Sequence, residues 1–272
     1  MIRASATAKI NLALVVGPSR SDGKHEVATV LQRIDLADRL ELDAAPALRV
    51  DGFADDTLVR RALEALAAAV GVQPGWRVRI EKKIPVAAGL GGGSADAAAA
   101  LQLANAALGH PLAPHDLHAL ARDLASDVPF FLTSGPQLAT SDGTQLQPLD
   151  LPQDFWIVLL LPHGVRKAST ADIYARFDER NGAEGFGERR EVLLDGLANL
   201  ARAVHLSTLP PNDLASSPFA ERLRELGAFR ADVSGAGPAV YGLFARERDA
   251  HAAASALGAA GRTWITAPAW YG

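Results

Sequence analysis

The chain has 272 residues, 49% of them hydrophobic and 21% charged, proportions typical of a folded globular protein rather than a disordered one. A formal net charge of −4 at pH 7 argues against binding to nucleic acid or to an anionic membrane, because proteins that bind either carry a basic face. Cysteine is absent, which excludes disulfides, thiolate nucleophiles and cysteine metal ligands. The longest strongly apolar run, 155–161, is too short to span a bilayer, so we expect a soluble, cytoplasmic protein with neither nucleic acid nor a membrane as partner.

The first half of the chain mixes strand and helix patterns without regular alternation. Hydrophobic and polar residues alternate in 36–42 and 76–84, as in half-buried strands, whereas leucine and valine recur at helical spacing before Gly71. In chain order we predict strands over 8–16 and 36–42, a helix over 57–70, a strand over 76–84, helices over 94–108 and 115–125, and a strand over 127–132.

The second half begins with a predicted buried strand over 155–161, which opens a second lobe. Residues 179–191 are rich in glycine and in charged residues and predict a mobile loop. A glycine turn at 234–237 separates two strand-like segments near the end of the sequence. The whole pattern favours an α+β fold in two lobes, 1–152 and 153–272.

The most informative segment is GLGGGSADAAAAL, residues 89–101, where four glycines and a serine lead into a strong helix-forming sequence. A helix N-terminus presents free backbone N–H groups and the positive end of the helix dipole, and glycines let phosphate oxygens approach them. Ser94 is predicted to cap this helix or to turn its hydroxyl to a phosphate or a magnesium ion. Asp96 would repel phosphate, so it is predicted to face away or to bind a cation that the phosphate shares. A side chain at Gly92 is expected to block the phosphates.

The spacing of these glycines differs from that of two common phosphate motifs. Ser94 stands where the dinucleotide-binding motif G-x-G-x-x-G has its third glycine. A P-loop is excluded because the one Gly-Lys pair, Gly23–Lys24, has Pro18 and His25 at the flanking motif positions. A tight strand-to-helix turn is the alternative interpretation, and the length of the glycine run favours the phosphate site.

The segment PVAAGLGGGSADAA, residues 85–98, resembles the signature phosphate loop of the GHMP kinases, the superfamily of galactokinase, homoserine kinase and mevalonate kinase. Further segments resemble one branch of it, which phosphorylates a cytidine diphosphate sugar alcohol in isoprenoid precursor biosynthesis. These segments are AKINLALVV, DGKHE, ASDVPFFL, ASTADIYARFD, PNDL and VSGAGPAVYGLF, in that order. The resemblance implies an ATP-dependent small-molecule kinase that uses Mg²⁺. It also implies a two-lobed α+β GHMP kinase fold with the active site in the cleft between the lobes.

The resemblance also assigns roles to individual residues, and it leaves the metal ligands open. It implies that Lys9 and Asp127 form the catalytic pair. The residues that would hold the ATP phosphates are Val86, Ala87, Ala88, Gly89, Leu90, Gly91, Gly92, Gly93, Ser94 and Ala95. The residues that would hold or border the substrate are Asn11, Lys24, His25, Ser234, Gly235, Ala236 and Gly237.

General chemistry agrees with the assignment of the catalytic pair. Phosphoryl transfer requires aligned reactants and compensation of the charge on phosphate oxygens. A carboxylate helps to deprotonate the accepting alcohol, and Lys9 would keep Asp127 ionised and stabilise the developing alkoxide. Pro129 is expected to hold Val128 extended, so that Asp127 projects from the start of a strand. Taken singly, Asp127 could be an ordinary turn residue, Lys9 could extend to solvent and His25 could be a surface histidine.

The chain departs from the pattern of that branch at four places. Lys24 stands where an aromatic residue usually stacks on the cytosine, and SDGT (141–144) replaces G-x-G-E. Thr57 replaces an asparagine near the nucleotide, and Ala95 replaces a second serine of the phosphate loop. These departures affect the substrate and nucleotide pockets more than the reaction type. Two alternatives therefore stay open, another GHMP small-molecule kinase of the homoserine or mevalonate type and a non-catalytic nucleotide-binding protein on the same fold.

Overall fold

Two mainly antiparallel β-sheets with helices packed against them form the computed structural model, which describes residues 1–53, 57–165 and 169–270. In chain order the elements are β1 (Ile2–Ser19), β2 (His25–Ala44), β3 (Arg49–Asp51), α1 (Thr57–Val70), β4 (Trp76–Glu81), α2 (Gly92–Ala107), α3 (Pro114–Leu124), β5 (Gln137–Ser141), β6 (Gln145–Pro148), β7 (Trp156–Pro162), α4 (Thr170–Glu179), α5 (Phe186–Ala198), α6 (Pro218–Glu225), β8 (Arg230–Val233), β9 (Val240–Phe244), α7 (Glu247–Ala256) and β10 (Gly261–Thr266). Short 3-10 helices cover Pro129–Leu132 and Ala203–Thr208. The side chain of Thr57, and residue Ala168 of the segment ASTADIYARFD, lie outside the described part.

The first sheet is built on a long hairpin of β1 and β2, which pair from Ile2 opposite Leu42 to Ser19 opposite His25. β2 also pairs with β4 near its end and with β5 near its start, and the sheet order is β3-β4-β2-β5-β6 with β1 on β2. The alternation predicted for β4 is confirmed, since its three apolar side chains, Trp76, Val78 and Ile80, are buried and the charged residues between them are exposed.

Helix α1 spans the residues predicted for it, and α2 begins two residues earlier than predicted. Alanine makes α2 suitable for the interior, because a side chain of one methyl group lets the helix lie close to α1 and β1. Ala97, Ala98 and Ala100 are fully buried there. Helix α2 is thereby packed against the first sheet.

The strand predicted over 127–132 is wrong. Residues Pro129–Leu132 form a 3-10 helix, and Val128 has helical torsions (φ −62°, ψ −42°) rather than the extended ones expected before a proline. Proline suits the first position of a helix because its N–H is not needed there. The periodicity of so short an apolar run is the same for a buried strand and for a buried helical turn. Here the run forms a helical turn, in which Phe130 and Phe131 are buried.

The loop predicted over 179–191 is only partly correct, since residues 180–185 form turns between α4 and α5 but α5 begins at Phe186. Arg189 fixes this segment to the first sheet. Its guanidinium donates to the carbonyl oxygen of Val16 at 3.1 Å and to that of Gly182 at 2.8 Å, and it pairs with Asp213 at 3.1 Å. Arg189 is therefore a specific anchor, whereas the other charged residues of the segment are exposed.

The second sheet has the order β10-β7-β9-β8, and the chain reaches it through residues 149–155. The sequence-predicted boundary between 152 and 153 lies in this connection. The two sheets share a core, in which Ile10 and Leu12 of β1 pack in one cluster with Ile157 of β7 and Tyr241 of β9. The architecture is α+β, as predicted. Within the described ranges, no helix combines the length and apolar character needed to cross a membrane.

Candidate active site

A cavity of about 880 Å³ is lined by residues from both halves of the chain. Most of the sequence-predicted site residues lie on its wall, namely Lys9, Asn11, Lys24, His25, Val86, Ala87, Ala88, Gly89, Leu90, Gly91, Gly92, Gly93, Ser94, Asp127, Gly235 and Ala236. Three others are placed differently. Ala95 is buried in the core beside α1, and Ser234 and Gly237 pack against the backbone of the glycine loop. The structure thus brings the two predicted glycine turns and the predicted catalytic pair to one cavity.

The glycine loop is held between helix α2 and the second glycine turn. Gly91 caps α2 in a left-handed conformation (φ 71°), which glycine adopts without strain, so the predicted cap by Ser94 is not formed. Gly89 lies against the second glycine turn, where an added Cβ would stand 2.2 Å from the carbonyl oxygen of Ser234. The Ser234 hydroxyl donates to the Gly89 carbonyl at 2.9 Å. Ser234 therefore positions the loop from the second half of the chain.

Of the four glycines in the loop, Gly93 has open space beside it. A Cβ added at Gly93 would meet no atom within 4 Å, whereas one added at Gly92 would meet the Ile84 side chain at 3.0 Å. Both residues line the cavity at the first turn of α2. The position where a side chain would obstruct an incoming phosphate is therefore Gly93, one residue beyond the position that the sequence suggested.

Asp96 faces away from the cavity, which is one of the two orientations that the sequence analysis left open. Its carboxylate is fully buried and pairs with Lys82 Nζ at 2.6 Å, and Lys82 also pairs with the buried Asp38 at 2.5 Å. Burial alone would lower the pKa of Lys82, but the two carboxylates raise it above its ordinary value. Asp38 also accepts from the backbone N–H of Ile84 at 2.8 Å. This cluster joins β2, the segment after β4 and α2 beneath the loop.

Replacing Lys82 with methionine should lower the free energy of unfolding by about 3–5 kcal/mol, because the cation shared by two buried carboxylates is lost. Urea denaturation measures this value. Lys83→Met is the matched control, since the neighbouring ammonium is largely exposed beside Glu81 and an exposed pair contributes little. Equal stability of the two variants would contradict this role of Lys82.

Lys9 and Asp127 form an ion pair at 3.7 Å on the wall of the cavity, with the lysine buried and the aspartate side chain 43% exposed. Lys9 and Asn11 lie two residues apart in β1 and so share one face of the strand. Lys9 Nζ donates to Asn11 Oδ1 at 2.6 Å, and the Asn11 amide donates to the Thr29 hydroxyl at 2.8 Å. The Lys9 backbone N–H also donates to the Leu90 carbonyl at 3.0 Å, which fixes the strand to the glycine loop.

Asp127 lies two residues before the 3-10 turn, and Arg33 holds this turn through its backbone carbonyls. The Arg33 guanidinium is buried and donates to the Phe130 carbonyl at 3.0 Å and the Thr133 carbonyl at 2.6 Å. It also lies 5.0 Å from the centre of the Phe130 ring. The support of Asp127 is thus a turn fixed by an arginine from β2, a contact that no pattern in the sequence indicates.

His25 belongs to an aromatic and acidic cluster that the sequence did not predict. Its Nε2 lies 2.9 Å from Asp178 Oδ1 and 3.1 Å from the Ser19 hydroxyl, and its ring lies 4.6 Å from the ring of Tyr174. Tyr174 and Asp178 of α4 both line the cavity. Burial, and to a smaller extent the charge of Asp127, raise the pKa of Tyr174 to about 12, so its hydroxyl stays neutral. Tyr174 therefore gives the cavity an aromatic surface, although the position of Lys24 lacks the aromatic residue that is usual there.

Oxygen donors for a magnesium ion are available beside the glycine loop. The Ser94 hydroxyl and the Asp127 carboxylate both line the cavity. Among the described residues, no group of three or more His, Cys, Asp or Glu side chains could hold a metal ion by itself. This donor set fits Mg²⁺, which protein sites commonly hold through one or two side-chain oxygens together with substrate phosphates.

The cavity therefore combines a glycine-flanked helix N-terminus with a lysine–aspartate pair. A kinase that phosphorylates small alcohols requires both parts.

Residues 57–135 match the family described as GHMP kinases N terminal domain, and residues 197–263 match GHMP kinases C terminal. The chain belongs to the GHMP kinase family. The predicted family, fold class and enzyme class are confirmed.

Relatives within this family carry a common name. A protein of Pelotomaculum thermopropionicum named 4-diphosphocytidyl-2-C-methyl-D-erythritol kinase is 41% identical over 261 residues, which cover 90% of each chain. A protein of Gloeobacter violaceus with the same name is 38% identical over 270 residues, covering 93% of this chain and 88% of the relative.

Solved structures agree with this relationship. A crystal structure of 4-(cytidine 5'-diphospho)-2C-methyl-D-erythritol kinase has a TM-score of 0.79 at 34% identity and covers 98% of this chain and 99% of its own. A mevalonate kinase structure has a TM-score of 0.78 at 14% identity, covers 98% of this chain and 99% of its own, and shares the fold.

Proposed function

We propose that this protein is an ATP-dependent kinase that phosphorylates the 2-hydroxyl of 4-diphosphocytidyl-2-C-methyl-D-erythritol. The observation that carries the proposal is the Lys9–Asp127 pair at 3.7 Å on the wall of the same cavity as the glycine loop. Relatives at 41% and 38% identity bear the name of this kinase, which supports the choice of substrate.

The glycine loop binds the ATP phosphates in this proposal. The N-terminus of α2 offers backbone N–H groups and the positive end of the helix dipole, and it opens on the cavity through Gly93. Asp96 is held by Lys82 and so does not repel the phosphates. Because the net charge of the chain is −4, this local geometry rather than the overall field of the protein attracts the anion.

Asp127 orients the 2-hydroxyl and takes up its proton as the phosphoryl group is transferred. Its carboxylate is partly exposed to the cavity, so a hydroxyl can donate to it directly. Lys9 is buried and held by Asn11, so its ammonium is fixed where negative charge develops on the alcohol oxygen and the transferred group. Positioned acid–base groups contribute about 10²–10⁴-fold to rates.

We include Mg²⁺ in the proposal, with the Ser94 hydroxyl as the residue that would hold it together with the ATP phosphates. When bound, the ion neutralises charge on the phosphates.

The proposal is tested with a panel of acceptors in a coupled assay that measures ATP consumption. We expect turnover with 4-diphosphocytidyl-2-C-methyl-D-erythritol and kcat/KM at least about a hundredfold lower with homoserine and with mevalonate, which lack the cytidine diphosphate. Turnover of homoserine or mevalonate without turnover of the cytidine compound would overturn the choice of substrate. No turnover with any acceptor, together with tight ATP binding, would favour a non-catalytic nucleotide-binding protein.

A further inference from the structure

The stretch of β1 that carries Lys9 and Asn11 lies between two irregularities in its pairing with β2. The register shifts between Thr7 and Lys9, and it shifts again between Asn11 and Ala13, where β1 advances by two residues while β2 advances by one. Such bulges interrupt the ladder of backbone hydrogen bonds and redirect side chains, often beside active sites. The backbone near Ala13 is therefore a place where a side chain can pair with a carbonyl.

Thr29 of β2 makes this pairing at the second irregularity. Its hydroxyl donates to the Ala13 carbonyl at 2.7 Å and accepts from the Asn11 amide at 2.8 Å. Asn11 Oδ1 accepts in turn from Lys9 Nζ at 2.6 Å. The side chains of Lys9, Asn11 and Thr29 are buried, and all three residues line the cavity. One chain of hydrogen bonds thus runs from a backbone carbonyl to the ammonium of the proposed catalytic pair.

The groups at the two ends fix the direction of this chain. A carbonyl only accepts hydrogen bonds, and an ammonium only donates them. The Thr29 hydroxyl has a single proton, which it gives to Ala13, so it can only accept from Asn11. Asn11 must therefore turn its NH₂ group to Thr29 and its oxygen to Lys9. The opposite orientation would set two donors against each other at Lys9.

Shape alone does not select this orientation of the amide. The second glycine turn lies close over the contact, since a Cβ added at Gly235 would stand 3.2 Å from Asn11 Oδ1 and 3.4 Å from Lys9 Nζ. The oxygen and the nitrogen of an amide are nearly equal in size, however, so close packing confines the Asn11 side chain without distinguishing its two ends. The hydrogen bond to Thr29 makes that distinction.

We propose that Thr29 is a positioning residue for phosphoryl transfer, because its hydroxyl orients the Asn11 amide and thereby holds the Lys9 ammonium beside Asp127. This inference rests on the proposed function and deepens the account of the same site. Lys9 Nζ lies 2.6 Å from Asn11 Oδ1 and 3.7 Å from Asp127 Oδ2, so the contact with Asn11 is the shorter of the two. Without the Thr29 hydroxyl the amide is free to turn its NH₂ group to Lys9, which displaces the ammonium.

The test measures ATP-dependent turnover of 4-diphosphocytidyl-2-C-methyl-D-erythritol by Thr29→Val, which keeps the shape without the hydroxyl, and by Thr29→Ser, which keeps the hydroxyl. Thr266→Val is the matched control, because Thr266 is a similarly buried threonine on β10 whose hydroxyl donates to Asp35, away from the residues that line the cavity. The calorimetric stoichiometry of a non-hydrolysable ATP analogue counts the folded molecules, so kcat is expressed per ATP site.

We expect Thr29→Val to lower kcat per ATP site by about ten- to a hundredfold, the effect of a small misplacement of a reacting or positioning group. Thr29→Ser and Thr266→Val should keep a kcat close to that of the wild type, and KM for ATP should be unchanged in all three variants. A wild-type kcat in Thr29→Val would overturn the inference, as would an equal fall in Thr29→Ser or in Thr266→Val.

Crystal structures of the two Thr29 variants give a readout that does not depend on the substrate. Lys9 Nζ should stay within hydrogen-bond distance of the Asn11 side chain in Thr29→Ser and should leave it in Thr29→Val. A Lys9 ammonium that is unmoved in Thr29→Val would overturn the inference. If the wild type phosphorylates no acceptor of the panel, the proposed function falls, and these structures then decide whether Thr29 orients Asn11.

Discussion

Asp127→Asn should lower kcat by about a hundredfold or more, because an amide of the same size cannot take up the proton of the substrate hydroxyl. The structure supports so large an effect, since Asp127 pairs with Lys9 at 3.7 Å on the cavity wall and is held by a turn that Arg33 fixes. Steady-state kinetics at saturating substrate measures kcat. ATP affinity should change little, because the N-terminus of α2 makes the proposed contacts to the phosphates.

Asp123→Asn is the control for this prediction, since Asp123 is an exposed aspartate on α3. Its kcat should equal that of the wild type. If Asp127→Asn keeps the wild-type kcat, Asp127 has no part in the chemical step.

Gly93→Val should weaken ATP binding by about tenfold or more while leaving the protein folded. The added side chain enters open space beside the first turn of α2, where phosphate oxygens would otherwise approach the backbone. Loss of one hydrogen bond to a charged group costs about 1.5–3 kcal/mol, which corresponds to about ten- to a hundredfold in affinity. Calorimetric titration with ATP measures the change, and urea denaturation should show no loss of stability, because glycine is the poorer helix former.

Gly187→Val is a close control for Gly93→Val. Gly187 is the second residue of α5, as Gly93 is of α2, and an added Cβ there also meets no atom within 4 Å. Wild-type ATP affinity in Gly93→Val would count against binding of phosphate at this helix. Gly89→Ala would be uninformative, because its Cβ would collide with the Ser234 carbonyl and disturb the fold.

The features that the sequence predicted correctly depend on local patterns. Helix α1 follows from apolar residues at helical spacing, and β4 follows from strict alternation. The glycine loop and the start of α2 were predicted to within two residues, because glycines break regular structure and the alanines that follow them favour a helix. The position of Lys9 next to Asp127 came from resemblance to a family, and no spacing rule links residues so far apart.

The features that the sequence missed depend on contacts between distant segments. The turn after Asp127 is stabilised by Arg33 through backbone carbonyls, which leave no trace in a hydrophobicity pattern. Residues 179–191 resemble a loop in composition, yet Arg189 fixes them to Val16 of β1. Likewise Asp142 becomes a cavity residue only because β5 pairs with β2 and brings its turn to Lys24.

The central claim is that Lys9 and Asp127 direct one particular hydroxyl at the phosphate bound by the glycine loop. It is tested by phosphorus NMR of the product formed from ATP and 4-diphosphocytidyl-2-C-methyl-D-erythritol. The account predicts one new phosphomonoester signal without three-bond coupling to a proton, because the 2-hydroxyl stands on a carbon that bears no hydrogen. A signal coupled to a carbinol proton, or release of inorganic phosphate alone, would contradict it.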